Sequence, residues 1–216
     1  MAGKRAYTHV LWDWNGTLFD DVDWCMQAMN TMLARRDMKT LADRAAYHRV
    51  FGFPILDYYK NVGFDFDREP FAVLAREYMD LYHSGDSAHC RLHDHALPVL
   101  QELHSRSITQ VVLSASELGN LLAQLGRFPI QHYFDEILGL GDVYANSKVA
   151  IGLAYMARQK NATALLVGDT THDAEVAKAL NIDCLLVAKG HQGRTQLLAC
   201  GVPVADDIWQ VLEYIT

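Results

Sequence analysis

At 216 residues the chain is long enough for one α/β domain with a sizeable core and a small insertion. Half of its residues are hydrophobic and 21% are charged, the mix of a globular protein, and a net charge of −7 argues against nucleic acid or an anionic membrane as the main partner. No apolar run approaches the roughly 18 residues of a membrane span, Met1–Thr8 offers no signal-like hydrophobic region, and Cys25, Cys90, Cys184 and Cys200 form no Cys-x-x-Cys, which points to free thiols in a reducing cytoplasm.

The apolar run Val10-Leu11-Trp12 predicts a buried strand over His9–Asp13, followed by the Gly-containing turn Asp13-Trp14-Asn15-Gly16-Thr17. Residues 20–92 read as helices without a confident strand. Val22, Cys25, Met26, Met29, Met32 and Leu33 mark one amphipathic helix, Thr40 is placed to cap a second, Pro54 opens a third ending near Gly63, and Pro70 opens a fourth ending before Gly85. Beyond them, strands are expected at Thr109–Leu113, Glu136–Leu138, Ala164–Val167, Cys184–Val187 and Pro203–Ala205. The helices between them are expected at Ala96–Ser105, Glu117–Leu125, Val149–Arg158, Asp173–Leu180, Arg194–Cys200 and Ile208–Tyr214. Strands alternating with helices predict a Rossmann-like, three-layer α/β core around a parallel sheet, residues 1–19 and 93–216, interrupted by a helical insertion at 20–92.

Chemistry-bearing residues fall at strand ends, where an open α/β sheet presents its site. Asp13 follows the first strand, Ser114 and Ala115 follow Val111-Val112-Leu113, and Asp169 and Asp173 follow Leu165-Leu166-Val167-Gly168. Lys148 stands at the start of a helical stretch. An acid, a hydroxyl, a lysine and an acidic pair in this order resemble the four motifs of the haloacid dehalogenase-like hydrolase superfamily, most of whose members are Mg²⁺-dependent phosphatases. Within it the helical insertion resembles the cap of the phosphoglycolate phosphatase branch. The resemblance implies that Asp13 is the nucleophile, that Ser114 and Lys148 hold the phosphoryl group together with Thr17 and Ala115, and that Mg²⁺ sits on Asp13, Asp169, Asp173 and the backbone carbonyl of Asn15. It also implies a small phosphorylated metabolite as substrate, a monomer or homodimer, and a cap hinged near Phe19–Asp21 and Ser87–His93, from which Arg49 and Phe53 face the substrate.

One position departs from the family pattern. Asn15 stands where the phosphatases carry a second Asp that protonates the leaving oxygen and then activates water. Asparagine can donate a hydrogen bond but exchanges no proton near neutral pH. An Asn15→Asp exchange is therefore expected to raise turnover, with His172 the one nearby alternative base. A weakly active or non-catalytic phosphometabolite- or protein-binding module on the same fold is the rival reading. The pattern His83-x5-His89-Cys90-x2-His93-x-His95 matches no closed zinc spacing and reads as a polar hinge.

Overall fold

The computed structural model describes residues 6–84, 90–141 and 147–216. Its centre is a six-stranded parallel sheet in the order β5-β4-β1-β6-β7-β8, built from β1 (His9–Trp12), β4 (Thr109–Glu117), β5 (Glu136–Leu140), β6 (Ala164–Gly168), β7 (Asp183–Val187) and β8 (Val204–Ala205). β1 is central, with Val10 beside Gln110 on one side and Leu165 on the other. The chain leaves β1 towards β4 and β5, then returns to β6 on its other flank. That reversal opens a crevice beyond the carboxyl ends of β1, β4 and β6.

Strand alternation divides the core into two layers. Val10, Trp12, Val112 and Val167 point to the face covered by α5 (Ala96–Ser105), α6 (Leu118–Leu125) and α10 (Val211–Tyr214). Leu11, Val111, Leu113 and Leu166 point to the face covered by α7 (Lys148–Arg158), α8 (Thr171–Leu180) and α9 (Arg194–Leu198). These are the two packed layers the alternation of strands and helices predicts.

Between Asp21 and Ser84 the insertion holds helices and, among the described residues, no strand. It holds α1 (Val22–Ala34), α2 (Arg44–Val50), α3 (Ile55–Asn61) and α4 (Phe71–Ser84), packed around their own cluster of Val22, Met29, Met32, Leu33, Tyr47 and Leu74. Asp43, and not Thr40, caps α2, its carboxylate accepting the Ala46 N–H at 2.7 Å. A feature without an apolar signature joins insertion to core. β2 (Phe19–Asp20) pairs antiparallel with β3 (Arg91–Leu92), and the two residues of each strand are too few to show a period in sequence. The expected junction at Ser87–His93 falls partly outside the described residues, as do Gly85, Asp86 and His89.

Two strands run longer than the sequence suggests. β4 continues through Ser114-Ala115-Ser116 to Glu117, with a register shift against β5 after Leu113, because backbone pairing carries a polar segment past the end of the apolar run. β5 extends through Gly139 to Leu140, which pairs with Glu117 at the far end of β4. Among the described residues no helix is long and apolar enough to cross a membrane.

Because the insertion buries its own cluster, damage there should stay local. Leu74→Ala should cost about 2–5 kcal/mol, read by denaturant unfolding. Hydrogen exchange should then rise in α1 to α4 while β1 and β6 stay protected; uniform loss of protection would show that the two parts do not open separately.

Candidate active site

Asp13 leaves β1 with its backbone N–H still bonded to the Val167 carbonyl at 2.9 Å, so its side chain starts from a fixed point at the sheet edge. Lys148 is the first residue of α7, which Ser147 caps through its hydroxyl. The ammonium, nearly fully buried, bridges Asp13 Oδ1 at 2.5 Å and Asp173 Oδ1 at 2.6 Å. The other Asp173 oxygen accepts the Thr170 N–H at 3.0 Å and the Thr170 hydroxyl at 2.7 Å, so one carboxylate both starts α8 and holds the lysine. Thr17 donates its hydroxyl to Asp13 Oδ2 and Asp169 Oδ1. Asp169 Oδ2 accepts the backbone N–H of His191 at 2.6 Å.

Packing around Asp169 is too close for side chains. A Cβ on Gly16 or Gly190 would collide with its carboxylate, and Gly16 also adopts φ +78°, open to glycine at little cost. The two glycine carbonyls are held by imidazoles: His93 Nε2 donates to Gly16 and His48 Nε2 to Gly190, each at 3.0 Å.

Asp13, Asp169 and Asp173 present carboxylate oxygens within 4.8 Å of one another, all buried. Burial and the neighbouring Asp173 charge push Asp13 above the ordinary carboxylate range against the pull of Lys148. Burial, with the charges of Asp13 and Asp173, pushes Asp169 up to about 8 despite the nearby His191. Asp173 stays low, because Lys148 and Thr170 outweigh its burial. Lys148 bonds Asp13 and Asp173 but not Asp169, and three converging carboxylates with hard oxygen donors suit a divalent cation such as Mg²⁺.

A cavity of about 300 Å³ opens above this cluster. Asp13, Asn15, Ser114, Ala115, Lys148 and Asp173 line its core side. Phe51, Phe53, Ile55 and Met79 from the helical insertion supply an apolar wall. Phe53 stacks on His172, ring centroids 4.9 Å apart, and both face the cavity. Two expected residues lie elsewhere: Arg49 is exposed on α2 and lines no part of this cavity, and the Thr17 hydroxyl is spent on carboxylates beneath it. Of the histidine-rich segment, His93 holds the Gly16 carbonyl and His95 pairs with Asp207 at 2.7 Å, so neither joins a metal-ligand cluster among the described residues.

Asn15 is fully committed. Its Nδ2 donates to Asp21 Oδ2 at 2.8 Å and to the Tyr82 hydroxyl at 3.1 Å, and its Oδ1 accepts from Ser116 Oγ at 2.8 Å. Asp21 also accepts from the Tyr82 hydroxyl, the Gly16 N–H and His191 Nε2. Burial would lower the His191 pKa, but the Asp21 carboxylate raises it to about 9, so the pair is ionic near neutrality. Sequence reasoning passed over Asp21, Ser116, Tyr82 and His191. The acidic pair Asp20-Asp21 beside the turn and the position of Gly190-His191 just after β7 were the available signals.

Lys148→Met should leave buried carboxylates unpaired and cost about 3–5 kcal/mol near pH 7. The acids would then bind protons more tightly folded than unfolded, so the deficit should be full above their raised folded pKa values and shrink as pH falls through them. Urea unfolding across pH reads this; a deficit independent of pH would dissociate Lys148 from the carboxylates.

A family model described as haloacid dehalogenase-like hydrolase matches residues 10–187. The curated protein "Probable phosphatase IndB" from Dickeya dadantii is 27% identical over 205 residues, 92% of this chain and 88% of that one. A haloacid dehalogenase-like family hydrolase from Streptococcus pneumoniae superposes with TM-score 0.82 at 19% identity, covering 96% of this chain and 98% of the other. A predicted phosphoglycolate phosphatase from Haemophilus somnus superposes with TM-score 0.70 at 15% identity, covering 98% and 99%.

Proposed function

This chain belongs to the haloacid dehalogenase-like hydrolases, and we propose that it is a Mg²⁺-dependent phosphatase of small phosphorylated metabolites, of the phosphoglycolate phosphatase-like branch. The observation that carries this reading is the convergence of Asp13, Ser114 and Lys148 on one wall of a small cavity above a carboxylate trio. The phosphatase name of the Dickeya dadantii relative supports it.

Asp13 is the nucleophile. A carboxylate oxygen forms a bond to phosphorus as the ester P–O bond breaks, leaving an acyl phosphate that water then hydrolyses. Lys148 and the Ser114 hydroxyl face the phosphoryl oxygens and offset their charge. Mg²⁺ would be held by Asp13, Asp169 and Asp173 with the Asn15 carbonyl, and would draw charge from the phosphoryl group. Residues 20–92 act as a cap over residues 1–19 and 93–216, its apolar wall keeping water from the reaction. The cavity size suits a small organic phosphate in the cytoplasm, and the chain acts as a monomer or homodimer.

Asn15 cannot move a proton, so another group must give one to the leaving oxygen and take one from the attacking water. His172, on the cavity wall against Phe53, is the residue placed for it.

Turnover of p-nitrophenyl phosphate should require Mg²⁺ and vanish in Asp13→Asn, because the good leaving group needs little protonation. Mg²⁺ should also raise the melting temperature, and Asp169→Ala should remove the rise. Absence of turnover with the Mg²⁺ shift intact would favour the binding-module reading.

The surroundings of Asn15 change what its replacement should do. A carboxylate there would meet the Asp21 carboxylate at hydrogen-bond distance, 2.8 Å in the present pair. Asn15→Asp alone should therefore lower the melting temperature and leave steady-state turnover of alkyl phosphates no higher. The exchanged pair Asn15→Asp with Asp21→Asn keeps one acid and one amide in contact and should raise that turnover by about 10²-fold or more, the scale of a general acid–base. A gain in the single variant would show that Asp21 does not constrain position 15.

A further inference from the structure

A second cluster of metal-binding side chains lies beside the carboxylate trio. Asp21, Cys25 and His191 are all buried, and one ligand atom of each lies within 4.8 Å of the others. They come from three parts of the chain: Asp21 directly after β2, Cys25 in the first turn of α1, and His191 in the loop following β7. The four-residue spacing of Asp21 and Cys25 stacks them on one side of the helix start, where the Cys25 N–H bonds the Asp21 carbonyl at 2.9 Å.

We propose that Asp21, Cys25 and the Nε2 of His191 form a site for a soft divalent cation such as Zn²⁺, separate from the hard-oxygen site of Asp13, Asp169 and Asp173. Zn–N and Zn–O bonds near 2.0 Å and a Zn–S bond near 2.3 Å set ligand–ligand edges of about 3.3–3.6 Å. His191 Nε2 lies 3.2 Å from Asp21 Oδ1 and Cys25 Sγ lies 3.6 Å from Asp21 Oδ2, so imidazole and thiol each sit about one such edge from the carboxylate, on its two different oxygens.

The imidazole is oriented for the role. The Tyr47 hydroxyl lies 2.8 Å from His191 Nδ1, which turns Nε2 towards Asp21, where its proton now bonds Oδ1; a partner behind the other ring nitrogen is the arrangement that fixes histidine ligands elsewhere. All three side chains also line the 300 Å³ cavity, which leaves a fourth coordination position for water or a ligand. The Asp21–His191 ion pair accounts for two members of the cluster. The thiol donates weakly to the other Asp21 oxygen, and a bound cation would take the place of the thiol and Nε2 protons. Thiolate and imidazole select zinc-like ions, whereas the carboxylate trio selects Mg²⁺, so one molecule can hold both. A bound cation would tie α1 to the β7 loop and so fasten insertion to core. The inference is independent of the phosphatase reading.

Cobalt(II), added to the intact protein in saturating Mg²⁺, is the spectroscopic probe. One equivalent should bind with a thiolate-to-cobalt charge-transfer band and raise the melting temperature. Cys25→Ser should remove the band, while serine at Cys90, Cys184 or Cys200 should leave it. Tyr47→Phe should keep the band and weaken binding by about 10–100-fold, the usual effect of losing a partner behind a ligand. X-ray absorption of the zinc-loaded wild-type protein should show one sulfur near 2.3 Å, a readout that does not depend on any variant folding. A zinc shell of nitrogen and oxygen alone, no cobalt–thiolate band, or a band that survives Cys25→Ser would overturn the site.

Discussion

A single buried ammonium binds together carboxylates delivered by different parts of the sheet. Lys148 reaches Asp13 from the end of β1 and Asp173 from the first turn of α8, with almost no water to screen either contact. Buried charges persist only when paired and hydrogen-bonded, so the loop after β1, the start of α7 and the start of α8 must all be in place together. The rest of the edge serves that requirement. Thr17 ties the first acid to Asp169, the His191 amide holds the far side of Asp169, and two glycines give the space. The site is an electrostatic problem whose solution fixes the geometry of four loops.

Much of this was legible because the sheet writes itself in apolar runs. Val10-Leu11-Trp12 and Leu165-Leu166-Val167 are buried on both faces, and the acids that follow them emerge at the same edge of adjacent strands. Asp13, Ser114, Lys148, Asp169 and Asp173 could be assembled from the motif order. What sequence did not carry was the direction of side chains on the insertion. Arg49 and Phe53 are four residues apart and equally plausible as wall residues, yet one faces solvent and the other stacks on His172. The turn at Pro54, the packing of Phe51 on His191 and the cap at Asp43 decide that, and none has a periodic signature.

Asn15 shows a different limit. Compared with the family pattern alone, it is a missing acid. In the structure it is a three-way connector, linking Ser116 of the core, Asp21 of the junction and Tyr82 of α4. Asparagine supplies both donors and an acceptor without charge, which a carboxylate beside Asp21 would not. Gln124 extends the same network by donating to the Tyr82 hydroxyl at 3.0 Å. The residue at this position is thus chosen by its neighbours as much as by chemistry at phosphorus.

The pairing of β2 with β3 has a mechanical consequence. Two chains lying side by side and bonded to each other bend readily across their plane but resist torsion, as a leaf spring does. Helices α1 to α4 hang from that strap, while Leu18 and His93 bond directly at its root. A swing of the helices about that strap would also have to break their direct contacts with the core, His48 with Gly190, Tyr47 with His191 and Tyr82 with Asn15. Phe51, Phe53 and Tyr82 would approach or leave the sheet edge as a set, keeping their spacing. A change of length or stiffness in four strap residues would retune the travel of some sixty others without touching a single contact inside either part.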